Sequence, residues 1–110
     1  MQNPGIGSSS QSGIVSTKTP LTATTPTNAS VTTSSSLVVS ANANRKGLII
    51  VNLSLNTISF GIGANLAVLN SGITLIGIGS VWNMSEYDFN TSDINATASA
   101  SSTISIQEFV

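Results

Sequence analysis

Apolar and polar positions begin to alternate regularly just after residue 35. Gly47 opens the run LIIVNLSL, in which Ile49, Val51, Leu53 and Leu55 recur at a period of two on one face. The other face starts apolar, at Leu48 and Ile50, and turns polar at Asn52 and Ser54. This predicts a strand buried on both sides at one end. Asn56-Thr57 can start a return, and Ile58, Phe60 and Ile62 then alternate with Thr57, Ser59 and Gly61, so the two runs are expected to form a hairpin. Gly61, Gly63, Gly72, Gly77 and Gly79 mark turns, with room for one very short strand around 73–76.

Further along, Trp82 and Met84 share one face, with Val81 and Asn83 on the other. Glu86 and Asp88 alternate with Tyr87 and Phe89. Ile94, Ala96, Ala98 and Ala100 fall together, and Ile104 and Ile106 point inward from the closing run. No stretch sustains a 3.6-residue period. Six to eight short strands with frequent turns predict an all-β fold, a small antiparallel β-sandwich or jelly-roll-like domain.

Residues 1–35 differ in kind. They are mainly Ser, Thr, Gly, Ala, Asn and Pro, a polar run with few apolar breaks such as Ile14-Val15. Such a segment buries too little apolar surface to offset its ordering entropy, while its Thr and Val content favours β pairing once a partner is present. The expected organisation is an extended N-terminal arm, 1–35, and a β-sandwich domain, 36–110. The arm is either a loose tail or a segment that drapes over a neighbour.

Charge changes the picture most. Only 6% of the 110 residues are charged, the net charge is -1, and residues 47–85 carry no charge at all. An average soluble protein is about 25% charged and relies on that surface for solubility. With neither cysteine nor histidine, a disulfide scaffold, a thiolate or imidazole metal site and a Ser-His or Cys-His nucleophile are excluded. A small domain without those staples is expected to gain stability by self-association, as a homodimer or homotrimer. Lys18, Arg45 and Lys46 are too few to neutralise a run of phosphates, which argues against nucleic acid. No membrane is expected either: the most apolar stretch, 66–81, is too short for a span and is broken by Asn70, Ser71, Thr74 and glycines. The opening MQNPGIGSSS has neither the basic start nor the apolar core of a signal peptide.

Candidate chemistry is sparse. Glu86 and Asp88 at i and i+2 on a strand would share a face, a geometry compatible with glycoside hydrolysis or a hard cation. Few aromatics are available to line a sugar cleft, and solvated edge-strand carboxylates are the simpler expectation. A calcium site joining Asp88 and Asp93 stays open. Gly61-Ile62-Gly63 and Gly77-Ile78-Gly79 lack the third glycine, helix and lysine of a phosphate loop. The five Asn-x-Ser/Thr sequons carry no weight in a chain so rich in Ser and Thr. No catalytic residue, metal site or cofactor is assigned, and no enzyme is expected. Arg45-Lys46, in a polar turn, is either simply solvated or meets an acidic patch on a partner, and Ile14-Val15 could contribute to the same contact.

The segments ANANRKGLIIVNLS, NTISFGIG, the Ser71-Gly72-Ile73 turn, an aromatic-plus-Glu strand and INATASASSTISIQEF together resemble a group of small β-rich virion proteins of tailed bacteriophages. The resemblance covers residues 41–110 and rests on ordinary residues. It implies a virion structural protein, and within that class a capsid cement or decoration protein. Such a protein would be made in the host cytoplasm, sit on the capsid surface, and touch the major capsid protein and further copies of itself. The alternatives are a tail, neck or fibre-associated β module and a receptor- or carbohydrate-binding module.

Overall fold

Nested pairing of strands organises the chain. The computed structural model describes residues 19–110, and among them are eight strands: β1 Thr27–Val31, β2 Ser36–Val39, β3 Gly47–Asn52, β4 Ile58–Ile62, β5 Thr74–Leu75, β6 Val81–Asn83, β7 Ile94–Ala98 and β8 Ser102–Phe109. All pairings are antiparallel: β1 with β8, β2 with β7, β3 with β6 and β4 with β5, closed by β3 with β8 and β4 with β7. Two four-stranded sheets result, sheet A in the order β1-β8-β3-β6 and sheet B in the order β2-β7-β4-β5. First with last, second with second-to-last, split over two facing sheets, is the jelly-roll form of the antiparallel sandwich. No helix among the described residues is long and apolar enough to cross a membrane.

Each sheet turns one row of side chains inward. Sheet A supplies Val31, Leu48, Ile50, Trp82, Ile104 and Ile106; sheet B supplies Val39, Ile58, Phe60, Leu75, Ile94, Ala96 and Ala98. Ile50 lies between Trp82 and Ile106 in register, and Phe60 opposes Ala96. The rings of Phe60 and Trp82 meet across the sandwich at 5.3 Å between centroids. Ile50, Ile58, Ile94 and Ile104 are fully enclosed, each contributing about 1.5–3 kcal/mol by leaving water.

Three sequence expectations are corrected. The 47–55 and 58–62 runs are not a hairpin, because β3 and β4 lie in different sheets. Between them Asn52, fully buried, takes its own hydrogen bonds: its Oδ1 accepts from Ser54 N at 2.8 Å and Ser54 Oγ at 2.7 Å, and its Nδ2 donates to Asn56 O at 2.8 Å. This knot of side-chain bonds turns the chain from one sheet to the other. Secondly, β3 is not buried on both sides at one end: Leu48, Ile50 and Asn52 face the core along its length, while Ile49 and Val51 lie half-buried on its outer face. Thirdly, the division at residue 35 cuts through the sandwich. Thr22 and Val110 exchange backbone hydrogen bonds at 2.9 Å, and β1 follows along β8 to Val31, which is fully buried. Ala23 opposes Phe109 whereas Thr27 opposes Ile106, so one extra residue is accommodated there. Pro26, which has no N–H to donate, sits in this irregular stretch as edge-strand prolines do.

The outer faces of the two sheets are treated differently. Residues 63–73 lie across the outside of sheet B. Ser59 Oγ accepts from Asn70 N at 2.9 Å, Asn95 Nδ2 donates to Asn65 O at 2.9 Å, and Ala67 N donates to Ser35 Oγ at 2.9 Å. Gly61 permits this cover: a Cβ there would stand 2.6 Å from Asn65 O and Leu66 O. Sheet A has no such cover among the described residues.

Candidate functional site

Arg45, the leading candidate for a partner contact, is inside the protein. Its side chain is 0% exposed, and Nε donates to Glu108 Oε2 at 2.6 Å, with Glu108 itself only 17% exposed. Nη1 donates to Asn90 O at 3.1 Å and Ser92 O at 3.0 Å, and Nη2 to Ser40 O at 2.8 Å. The guanidinium thus ties the β2–β3 connection, the β6–β7 connection and the end of β8 into one corner. Asp93 belongs to the same corner, its Oδ1 accepting from Ala41 N at 2.7 Å. A planar fork with five donors can satisfy several acceptors at once, which explains an arginine at this place. Pattern reasoning placed the residue in a polar turn, either solvated or facing a partner, because nothing local shows that two distant segments converge on it.

Lys46 remains exposed, with its backbone N bonded to Phe109 O at 2.7 Å. It borders a groove of about 380 Å³ with Met84, Ser85, Glu86 and Phe89. Ile14 and Val15 lie outside the described residues.

Glu86 and Asp88 fall in a turn rather than on a strand, so the shared-face geometry expected for them is absent. Asp88 is a structural acceptor: Trp82 Nε1 donates to its Oδ2 at 2.9 Å, and Ser85 donates to Oδ1 from both N and Oγ. The indole hydrogen bond, aided by those from Ser85 against a smaller desolvation effect, holds the Asp88 carboxyl below its ordinary value. Among the described residues no three acidic, His or Cys side chains come together to hold a metal ion.

What the fold does assemble is an apolar surface. On the outer face of sheet A, Val51 opposes Val81, with Ile49 on the same side of β3 and Leu53 just past its end. Gly79 N donates to Asn52 O at 2.7 Å, which brings the 76–80 loop alongside. Leu53, Ile76, Ile78 and Val81 are 45, 75, 64 and 52% exposed. The loop is internally braced, with Ser80 Oγ donating to Ile76 O at 2.6 Å and also to Gly77 O, while Gly77 and Gly79 adopt φ of 85° and 84°. Left-handed glycines therefore set the path of a short bonded loop on which two isoleucines face solvent. The face can do no bond chemistry; it can exclude water against another surface. The alternation of Gly77-Ile78-Gly79 was the available sequence signal, legible as a turn but not as a turn with apolar tips.

No family model, curated protein or solved structure matches the chain.

Proposed function

We propose that this chain is a non-enzymatic virion structural protein, a capsid cement or decoration protein that binds an assembled shell and bridges its major capsid subunits. The observation that carries this reading is the apolar β3–β6 half of the outer face of sheet A, set against the covered polar face of sheet B. Sheet B hides Ser59, Gly61 and Thr97 under a loop, while sheet A leaves Ile49, Val51, Leu53 and Val81 without one. A freely circulating domain normally keeps contiguous apolar surface small and mixes charges around it. An assembly component instead presents such a surface to a partner. The resemblance of residues 41–110 to phage virion proteins points the same way, and jelly rolls occur among capsid proteins, an analogy of fold rather than of site.

In this reading an uncharged face meets the shell without stripping water from unpaired ions. Binding only the assembled shell stabilises that state, repeated over many copies. The test is co-sedimentation of the full chain with purified shells that lack it, together with the shells' melting temperature. Saturable binding with a raised melting temperature is the expected result; no binding overturns the reading. A carbohydrate-binding module is the second reading, favoured by Tyr87, which is 91% exposed close to Phe89 and the groove. Tyr87→Ala would abolish sugar binding in that case and leave shell binding unchanged in the first.

A further inference from the structure

We infer that the groove beside Lys46 is the seat of this chain's own residues 14–18, a contact independent of any shell. The groove, about 380 Å³, is lined by Lys46, Met84, Ser85, Glu86 and Phe89. Met84 is buried with the core, and Phe89 leaves 46% of its surface to solvent. Glu86 is exposed, and the ion pair found among the described residues joins Arg45 to Glu108 instead. The recess is held in shape without an occupant. Met84 N donates to Leu48 O at 3.0 Å, and Asp88 accepts from Ser85 and from Trp82 Nε1, which fixes the turn carrying Glu86.

The fold brings the N-terminal segment to this end of the sandwich. Lys46 N donates to Phe109 O at 2.7 Å, while Ala23 bridges Phe109 from the other side of β8 and Thr22 exchanges hydrogen bonds with Val110. Gly47 is the register partner of Phe109 on β3, so two strand spacings, about 10 Å, separate Ala23 from it. Residues 18 and 15 precede Ala23 by five and eight positions. At about 3.3 Å per residue they reach up to about 16 and 26 Å, farther than the crossing to Lys46.

Composition selects this stretch over the rest of the segment. Ile14-Val15 is the one pair of adjacent large aliphatics in residues 1–18, and Lys18 is their one charged side chain. Seated in the groove, the pair covers Met84 and Phe89, and Lys18 answers the Glu86 carboxylate. Lys46 and Glu86 sum to zero, so Lys18 enters a neutral recess. Only residues 14–18 need ordering, next to a strand already fixed, a smaller entropic demand than ordering the whole arm. A segment tethered this closely meets the groove at an effective concentration on the order of millimolar, which favours it over the same segment of another copy at micromolar concentration.

Limited trypsin digestion of the full native chain reads the contact. The bond after Lys18 is the accessible one, because Arg45 is buried and Lys46 and Gly47 are bonded to Phe109. Cleavage there is expected to be about tenfold slower than in a free peptide of residues 10–23, the effect of covering two aliphatic side chains net of their ordering. Ile14→Asp/Val15→Asp should restore the peptide's rate without touching a strand. Glu86→Gln should speed cleavage about two- to fivefold, the size of an exposed ion pair. Equal rates in the native chain and these variants overturn the inference. A second measurement locates the seat. The native chain has no cysteine, so Val15→Cys/Phe89→Cys should oxidise to a disulfide within one chain. No disulfide overturns the inference, and a disulfide between chains overturns it in favour of a second copy as the seat.

Discussion

Val51 of β3 and Val81 of β6 stand opposite each other on the outer face of sheet A, with β8 carrying Ser105 on the other side of Val51. Cross-strand pairs of β-branched residues stabilise a sheet locally. Here the pair lies on the side away from the core, where serine or threonine would serve a solitary domain equally well. The covered face of sheet B has the reverse composition. Burial among the described residues does not account for this distribution.

Arg45 should be the most sensitive side chain in the domain. Arg45→Ala leaves Glu108 and the carbonyls of Ser40, Asn90 and Ser92 without their donors, and breaking a buried ion pair costs about 3–5 kcal/mol. Arg45→Lys should recover little, since an ammonium cannot reproduce the fork. Urea denaturation of both variants measures the loss.

Gly61→Ala is expected to destabilise by about 1–3 kcal/mol through overpacking, because the new methyl meets backbone, not a movable side-chain tip. Gly77→Ala meets open space and pays only for its positive φ, about 1 kcal/mol. Thermal unfolding of the pair separates the two effects.

Asp88 gives stability a dependence on acid. Its folded carboxyl titrates below the ordinary value of 3.8. Its contribution is therefore present above that value and is lost as pH falls through the lower folded value. Trp82 is the chain's single tryptophan and donates to this carboxylate, so its fluorescence reports the event directly. The native protein should lose stability below about pH 4, the ordinary aspartate range, and Asp88→Ala should flatten that part of the profile.

Removing residues 1–21 keeps every strand pairing described above, whereas removing 1–35 takes away β1 and uncovers the inner row of β8. The second truncation should lose about 3 kcal/mol or more, from Val31 and the β1–β8 hydrogen bonds together. Denaturant midpoints of the two truncated chains check this.

Much of the sandwich was legible because alternation at a period of two survives in Ile94-Ala96-Ala98, Ile104-Ile106 and Trp82-Met84, all of which are buried. Connectivity was not, since a period of two is silent on which sheet a strand joins; the Asn52–Ser54–Asn56 bonds that separate β3 from β4 are long-range in consequence though local in sequence. β1 was hidden because TNASV contributes little apolar surface and is a strand chiefly through β8. The candidate contacts fared unevenly. Arg45 reads as a surface charge until the three segments it joins are seen together, and the start of β3 reads as buried on both sides because its residues on both faces are apolar.

The most direct test of the central claim is the copy number of this protein in purified particles relative to the major shell protein, by quantitative mass spectrometry. A cement protein predicts a ratio near one or a simple fraction repeated over the whole shell. A handful of copies per particle contradicts cement in favour of a tail or neck component, and complete absence from particles contradicts a virion role altogether.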